Sequence, residues 1–381
     1  MRLFSQCVQS SGLTSEIQYI MANKFAYGTL VQGEYFTDRI NELAKIKQFL
    51  NSENHLILIS PRRYGKSSLV KKCVEELGRP YIWLDMQYAI STASFTTQLL
   101  KATLAQYPME RLKYELRRFR ILPTATFNPV TNDYQFSFQT SEATDNTMLE
   151  DVMEMLQRLS TPKEKLIVVF DEFQEVRNID KHLDKQLRSI MQLQKGLNYI
   201  FLGSQEGMML EIFERKKSPF YHFGGLMRLN KIPYDEFYKF VIDRLPETPD
   251  KETVTREILS FSSCHPYYTQ QLAFEVSNQI ESNQIHEEIV QCAIQAVIQA
   301  HDLDYERLWE TFNNTDKGTL LCLSRNEKPL SNRDVATSTT FSSLKRLVKS
   351  GVVVRTEDYV LEDPFFAEWL KIKQNPLRRI Q

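Results

Sequence analysis

Residues 60–67 have the residue types and spacing of a loop that binds phosphate. The segment fits the pattern GxxxxGK[ST], except that Ser60 stands at the first glycine position. In such a loop, backbone N–H groups and the start of the next helix surround the phosphate oxygens. Gly65 lets the backbone come close, Lys66 reaches the β- and γ-phosphates of ATP, and the Ser67 hydroxyl ligates Mg²⁺. The predicted nucleotide-binding residues here are Ser60, Pro61, Arg62, Arg63, Tyr64, Gly65, Lys66, Ser67 and Ser68.

An acidic pair, Asp171 and Glu172, follows the unbroken apolar run at 166–170. Ligands of open α/β sheets bind at the carboxyl ends of such buried strands. We expect Asp171 to hold Mg²⁺ through water, and Glu172 to orient and deprotonate the water that attacks ATP. The alternative is an acidic turn after a strand. The phosphate loop upstream favours the catalytic interpretation, because the two motifs complete one site.

A second polar position follows another apolar run, where Ser204 and Gln205 come after Gly203. A side chain at this strand end could contact the γ-phosphate or the attacking water. We expect Ser204 to do so in the first place and Gln205 in the second, with a plain strand-end cap as the alternative. The predicted catalytic residues are Glu172, Lys66 and Ser204, and the predicted metal ligands are Ser67 and Asp171.

The elements that must position these residues are short apolar runs separated by helical patterns. Strands that are apolar on both faces, with helices between them, are typical of a parallel sheet covered on both sides. A helix is expected at 38–51, with Asp38 as its N-cap, and another at 94–107. Strands are expected at 56–59, 81–85, 166–170, 199–204 and 226–232.

One segment interrupts this alternation between the second and third strands. Residues 108–120 are helical and basic, and alternating patterns at 124–127 and 134–138 flank turn residues, which predicts a β-hairpin. The insertion is either a solvated decoration of the sheet or a contact for a partner or nucleic acid.

The second half of the chain is helical from 233 to about 304. After it we expect a helix at 305–323, a short helix after Ser331, a third helix at about 340–349, and strands at 351–354 and 359–361. Three helices followed by a two-stranded wing make a winged helix.

Composition sets outer limits on function. The chain is 42% hydrophobic and 25% charged, as in ordinary globular proteins, and its net charge of -1 leaves any DNA contact to a local patch. The five cysteines include no CxxC pair, which fits a reducing compartment and no zinc site. Residues 1–20 are not a signal peptide and no run of 18 apolar residues occurs, so we expect a cytoplasmic protein without a membrane span.

Taken together in order, these motifs resemble the prokaryotic AAA+ ATPases often called archaeal-type ATPases, which are related to the signal-transduction ATPases with numerous domains. The resemblance covers residues 21 to about 375. It is carried by Tyr35-Phe36-Thr37-Asp38-Arg39-Ile40-Asn41-Glu42-Leu43, Pro61-Arg62-Arg63-Tyr64-Gly65-Lys66-Ser67-Ser68, Val168-Val169-Phe170-Asp171-Glu172-Phe173, Gly203-Ser204, Ser218-Pro219-Phe220-Tyr221, Cys264-His265-Pro266-Tyr267-Tyr268 and Asp363-Pro364-Phe365-Phe366-Ala367-Glu368-Trp369.

The resemblance implies an α/β P-loop fold with a five-stranded parallel sheet of order 5-1-4-3-2, a helical lid and a C-terminal winged helix. It also implies that residues 36–43 pack against adenine, and that His265 and Pro266 position the lid over the nucleotide. A histidine before a proline is otherwise a common helix start. The implied divisions are an N-terminal extension (1–20), an ATPase core (21–232) with the insertion at about 108–145, a lid (233–304), a winged-helix domain (305–375) and a tail (376–381).

One departure from the family pattern concerns catalysis. Relatives often carry an arginine after a tyrosine equivalent to Tyr221, where this chain has His222 and Phe223. Without an arginine that senses the γ-phosphate, turnover is expected to be slow. Other candidates for that role are Arg62, Arg63, Arg215 and Arg228.

The expected function is ATP hydrolysis to ADP and phosphate that drives rearrangement of the lid and the winged helix. The alternative is a nucleotide-gated switch with little or no turnover that binds DNA or protein, including a second copy of the chain. A winged helix can lay its third helix in the major groove, or it can pack on protein. The candidate DNA contacts are Arg333, Lys345, Arg346 and Lys349, with Arg355 on the wing.

Overall fold

The computed structural model describes residues 23–37, 39–128, 133–137, 142–282, 288–331, 337–355 and 357–374. Several predictions lie outside these residues: the extension at 1–20, the N-cap role of Asp38, the short helix after Ser331, the DNA contact of Arg333 and the tail at 376–381. Within the described residues, no helix combines the length and the apolar character needed to cross a bilayer.

Strands and helices alternate through the first half of the chain, and helices dominate the second half. The strands are β1 (Leu56–Ile59), β2 (Tyr81–Asp85), β3 (Thr124–Asn128), β4 (Asp133–Ser137), β5 (Leu166–Asp171), β6 (Leu197–Gly203), β7 (Gly225–Arg228), β8 (Val353–Arg355) and β9 (Tyr359–Leu361). The helices are α1 (Ile40–Leu50), α2 (Lys66–Leu77), α3 (Thr92–Gln106), α4 (Met109–Leu116), α5 (Glu142–Leu159), α6 (Val176–Ile179), α7 (Leu183–Met191), α8 (Glu206–Phe213), α9 (Tyr234–Arg244), α10 (Lys251–Ser262), α11 (Pro266–Glu281), α12 (Ile289–Ala300), α13 (Asp302–Glu310), α14 (Asn314–Ser324), α15 (Thr337–Lys349) and α16 (Pro364–Gln374).

The central sheet has five parallel strands in the order β2-β5-β6-β1-β7. Numbered within the sheet, this is 2-3-4-1-5, the predicted order 5-1-4-3-2 read from the opposite edge, so the prediction is confirmed. β1, β5 and β6 are buried along their whole length, which explains the apolar runs at 56–59, 166–170 and 199–202 within them.

Two hydrophobic clusters cover the two faces of the sheet. Successive side chains of a strand point to opposite faces. In β5, Leu166, Val168 and Phe170 therefore join a cluster that includes side chains of α3, α5 and α7, whereas Ile167 and Val169 join one that includes α1 and α2. Because the five strands are parallel, their carboxyl ends lie at one edge of this covered sheet.

The insertion between β2 and β5 contains α4 and the antiparallel hairpin β3–β4, whose pairing runs from Thr124 opposite Ser137 to Asn128 opposite Asp133. Two of its basic side chains contact α5. The guanidinium of Arg111 donates to the Leu159 carbonyl at 2.7 Å, and that of Arg120 donates to Asp151 at 2.8 Å.

The helical second half forms a single hydrophobic cluster with the C-terminal elements, because side chains of α9–α12 and of α13–α16 belong to the same core. The prediction of one helix at 305–323 is wrong. The structure breaks it between α13 and α14, where Asn313 caps α14 by accepting a 2.9 Å hydrogen bond from the Asp316 N–H. An N-cap asparagine satisfies a helix N–H that would otherwise lack a partner, so it favours a new helix start.

Candidate active site

A cleft of about 390 Å³ opens at the carboxyl edge of the sheet, beside the loop that joins β1 to α2. Residues 61–68 line it, together with Thr29, Leu30, Gln87 and Glu172. Gly65 has φ of +81°, and a Cβ at this position would meet no protein atom within 4 Å. The left-handed backbone therefore accounts for the glycine, and the space above it is left to the cleft.

Ser60, the residue that departs from the phosphate-loop pattern, does not line the cleft. It is 2% exposed, and its N–H donates to the Gly203 carbonyl at 3.3 Å. This contact extends the pairing of β1 with β6 by one residue. Ser60 therefore joins the loop to the sheet and leaves the cleft surface to the residues that follow it.

Lys66 begins α2 and lies against both carboxylates that end β5. Its Nζ is 3.4 Å from Asp171 Oδ1 and 3.3 Å from Glu172 Oε1. The adjacent Ser67 Oγ donates to Asp171 Oδ2 at 2.8 Å. Because β6 lies between β1 and β5 in the sheet, these contacts reach across one intervening strand at its carboxyl end.

Glu172 is held in a left-handed backbone conformation, with φ of +52°. Its Oε2 accepts a 2.6 Å hydrogen bond from Ser204 Oγ and a second one from the Gln174 side-chain amide. Burial by itself would raise the pKa of this carboxyl, but the Lys66 ammonium and the donated hydrogen bonds outweigh burial and lower the pKa. The carboxylate is consequently ionised and oriented.

Two polar residues of this edge were not predicted as site residues. Gln174 is fully buried and aimed at Glu172, but a lone glutamine in a short turn gives no sequence signal. Asp85 ends β2 and lies opposite Asp171 in the register. Burial, and then the charges of Asp171 and Glu172, raise the pKa of Asp85. The available signal was positional, since Asp85 ends its apolar run as Asp171 does.

A second cavity of about 110 Å³ adjoins the cleft and shares Arg63, Tyr64 and Gly65 with it. It lies between the N-terminal segment, the residues before α1 and the first turn of α11. Phe36, Thr37 and Arg39 line it, as do Pro266 and Tyr267 of α11. The contact of segment 36–43 with adenine, which the resemblance implies, stays a prediction.

Arg39 connects this second cavity to the phosphate loop. The side chain is 3% exposed, and its Nη2 donates to the carbonyl of Tyr64 at 3.1 Å and to that of Asn230 at 3.0 Å. Nη1 donates to Glu42 at 3.1 Å. The sequence motif contains Arg39, but its contact with the loop carbonyl is visible only in the fold.

His265 is buried at the start of α11 and does not line either cavity. Its Nδ1 accepts hydrogen bonds from the N–H groups of Tyr267 and Tyr268, at 3.2 and 3.4 Å, which caps the helix. Its Nε2 lies 2.7 Å from Glu362 Oε1. The geometry matches a helix-start residue, and a direct role at the nucleotide stays a prediction.

A family model described as an ATPase domain predominantly from Archaea matches residues 36–272, which is more than half of the chain. The chain belongs to this ATPase family. The match contains the phosphate loop, the acidic pair and Ser204, and it ends inside α11. The resemblance to archaeal-type AAA+ ATPases is thereby confirmed.

Solved structures are similar in fold to this chain over about nine tenths of its length. A Walker-type ATPase of Pyrococcus abyssi is 17% identical, with 90% of this chain and 97% of that chain covered and a TM-score of 0.63. The ORC2 protein of Aeropyrum pernix, solved with ADPNP and ADP, is 14% identical, with 91% and 96% covered and a TM-score of 0.51. At these identities the likeness shows the fold. No curated protein matches the sequence significantly.

The arginines considered for γ-phosphate sensing in this ATPase fall into two groups. Arg62 and Arg63 line the cleft. Arg215 and Arg228 line neither cavity, and pair instead with surface glutamates of α8, at 2.9 and 2.8 Å. The phosphate loop therefore supplies the arginines nearest to the cleft among these four.

The site fits a hard divalent cation. Within the part of the chain that the structure describes, no three His, Cys, Asp or Glu side chains are grouped as a protein-only metal site requires. Ser67 Oγ and Asp171 Oδ2 are 2.8 Å apart. The Ser67 hydroxyl can ligate Mg²⁺ directly and the Asp171 carboxylate can hold it through water, and Mg²⁺ normally takes its other ligands from water and substrate phosphates.

The basic residues of α15 differ in what they contact. Arg346 donates to the carboxylate of Asp316 at 2.7 Å, and that side chain is 8% exposed. Lys345 and Lys349 are exposed on the helix surface. Arg346 thus has a structural partner inside the C-terminal elements, whereas the two lysines face outward.

Proposed function

We propose that the chain binds ATP with Mg²⁺ in the cleft and hydrolyses it to ADP and phosphate. The observation that carries the proposal is the position of the Lys66 ammonium between Asp171 and Glu172, with Ser67 bonded to the same Asp171. Two carboxylates, one ammonium and one hydroxyl at the start of a helix are the groups that phosphoryl transfer needs.

The phosphate loop would bind and orient the substrate. Its backbone N–H groups and the N-terminus of α2 favour anionic oxygens, and Lys66 adds a charge that can move from the carboxylates to the phosphates. Ser67 and Asp171 would hold Mg²⁺, which when bound neutralises charge on the phosphate oxygens. The cavity beside Phe36 would take the adenine ring.

Glu172 would act as the general base. Its lowered pKa keeps the carboxylate ionised at neutral pH, and the hydrogen bonds from Ser204 and Gln174 hold it in one orientation. An ionised, oriented carboxylate can accept a proton from the attacking water as the water oxygen bonds to the γ-phosphorus and the bond from that phosphorus to the departing ADP oxygen breaks. Ser204 would therefore act by orienting the base.

We also propose that ATP turnover is slow, because His222 and Phe223 follow Tyr221 where relatives often carry an arginine. Arg62 and Arg63 are the loop arginines beside the cleft, and Arg63 already contacts the aromatic rings of α11, with its Cζ 4.5 Å from the ring centre of Tyr267.

We propose that α9–α12 form the lid and that the elements from α13 onward form a winged helix. ATP binding and hydrolysis would change how both pack on the core.

The test is nucleotide binding and hydrolysis by the purified full chain, with Lys66→Ala and Glu172→Gln as variants. We expect wild type to bind and hydrolyse ATP, Lys66→Ala to lose both, and Glu172→Gln to bind without turnover. Binding without hydrolysis above the Lys66→Ala background would contradict the enzyme function. Normal hydrolysis by Glu172→Gln would contradict the assignment of the base.

A second candidate function is a nucleotide-gated switch that contacts DNA. The exposed face of α15 favours this function. On it, Lys345 and Lys349 lie one and two helical turns after the exposed Phe341. The matched test is Lys345→Ala/Lys349→Ala, because Arg346→Ala would also break the Asp316 ion pair. DNA retention at low salt that the double variant loses supports this function, and no retention by wild type contradicts it.

A further inference from the structure

The carboxylate of Glu362, which follows β9 and precedes α16, connects the C-terminal elements to the first turn of α11. Oε1 accepts the 2.7 Å hydrogen bond from His265 Nε2, and Oε2 accepts a 2.8 Å hydrogen bond from the Tyr268 hydroxyl. Because Nδ1 of His265 accepts two backbone N–H groups, the ring proton lies on Nε2. Glu362 is thus a double acceptor whose side chain is 12% exposed.

The two residues that Glu362 holds both contact the phosphate loop. The Tyr268 hydroxyl accepts a 3.2 Å hydrogen bond from Arg63 Nη1. The ring of His265 meets the ring of Tyr64 edge to face, with centroids 4.7 Å apart and planes at 83°. Two consecutive loop residues therefore lie against side chains whose orientation depends on one distant carboxylate.

The loop backbone needs such support at this point. Arg63 has φ of +66°, a left-handed conformation that is unfavourable for a residue with a side chain. Conformations of this kind persist where the surrounding contacts determine them. The contacts of the Arg63 side chain are the Tyr268 hydroxyl and the face of the Tyr267 ring, so they stabilise the shape of the loop directly.

We infer that Glu362 is a positioning residue of the nucleotide site, which acts on the phosphate loop through Tyr268 and His265. The inference rests on the proposed function of the cleft and extends it to a residue outside the ATPase family match, which ends at residue 272. Nucleotide affinity would thereby depend on how the C-terminal elements pack against α11.

The number of hydrogen bonds that Glu362 accepts determines which substitution tests the inference. A carboxylate accepts hydrogen bonds from His265 and Tyr268 together, whereas the amide oxygen of Glu362→Gln can accept only one of them. Since the Tyr268 hydroxyl accepts from Arg63, its own proton needs an acceptor, and the amide nitrogen cannot supply one. Tyr268→Phe removes the same link from the other side and keeps the aromatic ring.

The experiment measures backbone hydrogen exchange over residues 62–68 of the full chain without nucleotide. We expect Glu362→Gln and Tyr268→Phe each to raise the exchange rate about three- to tenfold, as the loss of one hydrogen bond implies. The double variant should exchange no faster than Tyr268→Phe alone, because without the Tyr268 hydroxyl the glutamine oxygen is free to accept from His265. Glu357→Gln, an exposed glutamate between β8 and β9, is the charge-matched control and should behave as wild type.

Nucleotide kinetics give the second readout. We expect Glu362→Gln to raise the Kd for ADP and the KM for ATP about three- to tenfold, with kcat changed less than twofold. Exchange and affinity equal to those of Glu357→Gln would overturn the inference. Should Glu362→Gln fail to fold, Tyr268→Phe decides by the same criteria. Should wild type and Lys66→Ala bind nucleotide equally, the proposed function fails, and the exchange rates alone decide whether Glu362 positions the loop.

Discussion

Ser67 Oγ donates a 2.8 Å hydrogen bond to Asp171 Oδ2, although 104 positions separate the two residues in the chain. The bond joins the first turn of α2 to the end of β5. Both oxygens suit Mg²⁺, with the Ser67 hydroxyl as a direct ligand and the Asp171 carboxylate in the outer shell, acting through water. The contact therefore marks the point where the phosphate loop and the acidic pair become one site.

Asp171→Asn tests the proposed metal role. The amide keeps the shape of the side chain and removes its charge, so we expect the Mg²⁺ concentration for half-maximal ATP hydrolysis to rise about 10- to 100-fold, as for outer-shell ligands. The measurement is a Mg²⁺ titration of hydrolysis at saturating ATP. Asp243→Asn, an exposed aspartate on α9, is the control. Equal titration curves for both variants would contradict the role of Asp171.

Ser204→Ala tests whether the hydrogen bond to Glu172 sets the acidity of the base. Because this bond lowers the pKa of Glu172, its loss should raise that pKa. The acid limb of kcat/KM reports the protonation of the base, so it should move to higher pH in the variant. Gln205, the second candidate from the sequence, lines neither cavity, so Gln205→Ala should leave the limb in place. An unshifted limb in Ser204→Ala would show that the bond does not tune the base.

Arg39→Met tests the buried arginine behind the phosphate loop. The change leaves the carbonyls of Tyr64 and Asn230 without their donor, and we expect the free energy of unfolding to fall by about 2 kcal/mol or more. Urea denaturation measures it. Arg256→Met is the control, because Arg256 makes an exposed ion pair with Glu252 that is worth less than about 1 kcal/mol. Equal losses for the two variants would refute the supporting role of Arg39.

The buried His55 is expected to make the free energy of unfolding fall at acid pH. Burial first, and then the charge of Arg188, lower its pKa from 6.5 to about 4. Between these values the unfolded chain binds more protons than the folded one, so this contribution to stability is full above pH 6.5 and is lost as the pH falls towards 4.

His55→Asn is the variant for this prediction. Its side-chain oxygen can replace the ring nitrogen that accepts the Tyr199 N–H at 3.3 Å. We expect unfolding of wild type near pH 5 to take up about one proton more than unfolding of the variant. Denaturation at a series of pH values measures the slope. Equal pH dependence of the free energy of unfolding in wild type and variant would mean that the pKa of His55 does not differ between the folded and unfolded chains.

Local patterns predicted the framework of the fold because their physics is local. Apolar runs gave β1, β2 and β5 within one residue. β1 and β5 are buried on both faces and need apolar side chains throughout, whereas β2 is an edge strand that alternates partly buried and buried residues. The sheet order followed from the family resemblance and is confirmed. The predicted helix at 305–323 was wrong because Asn313 was taken as helix interior, whereas its side chain caps the start of a new helix.

The sequence by itself determined the strand–loop–helix unit around Lys66 and the acidic end of β5, because glycine geometry, a helix start and buried strands are properties of short segments. Only the tertiary structure decided which atoms meet. It placed Lys66 between two carboxylates, turned Arg39 onto the Tyr64 carbonyl, and brought Glu362 to His265 and Tyr268. Such contacts depend on side-chain orientation between segments that are far apart in the chain, and no pattern within one segment contains that information.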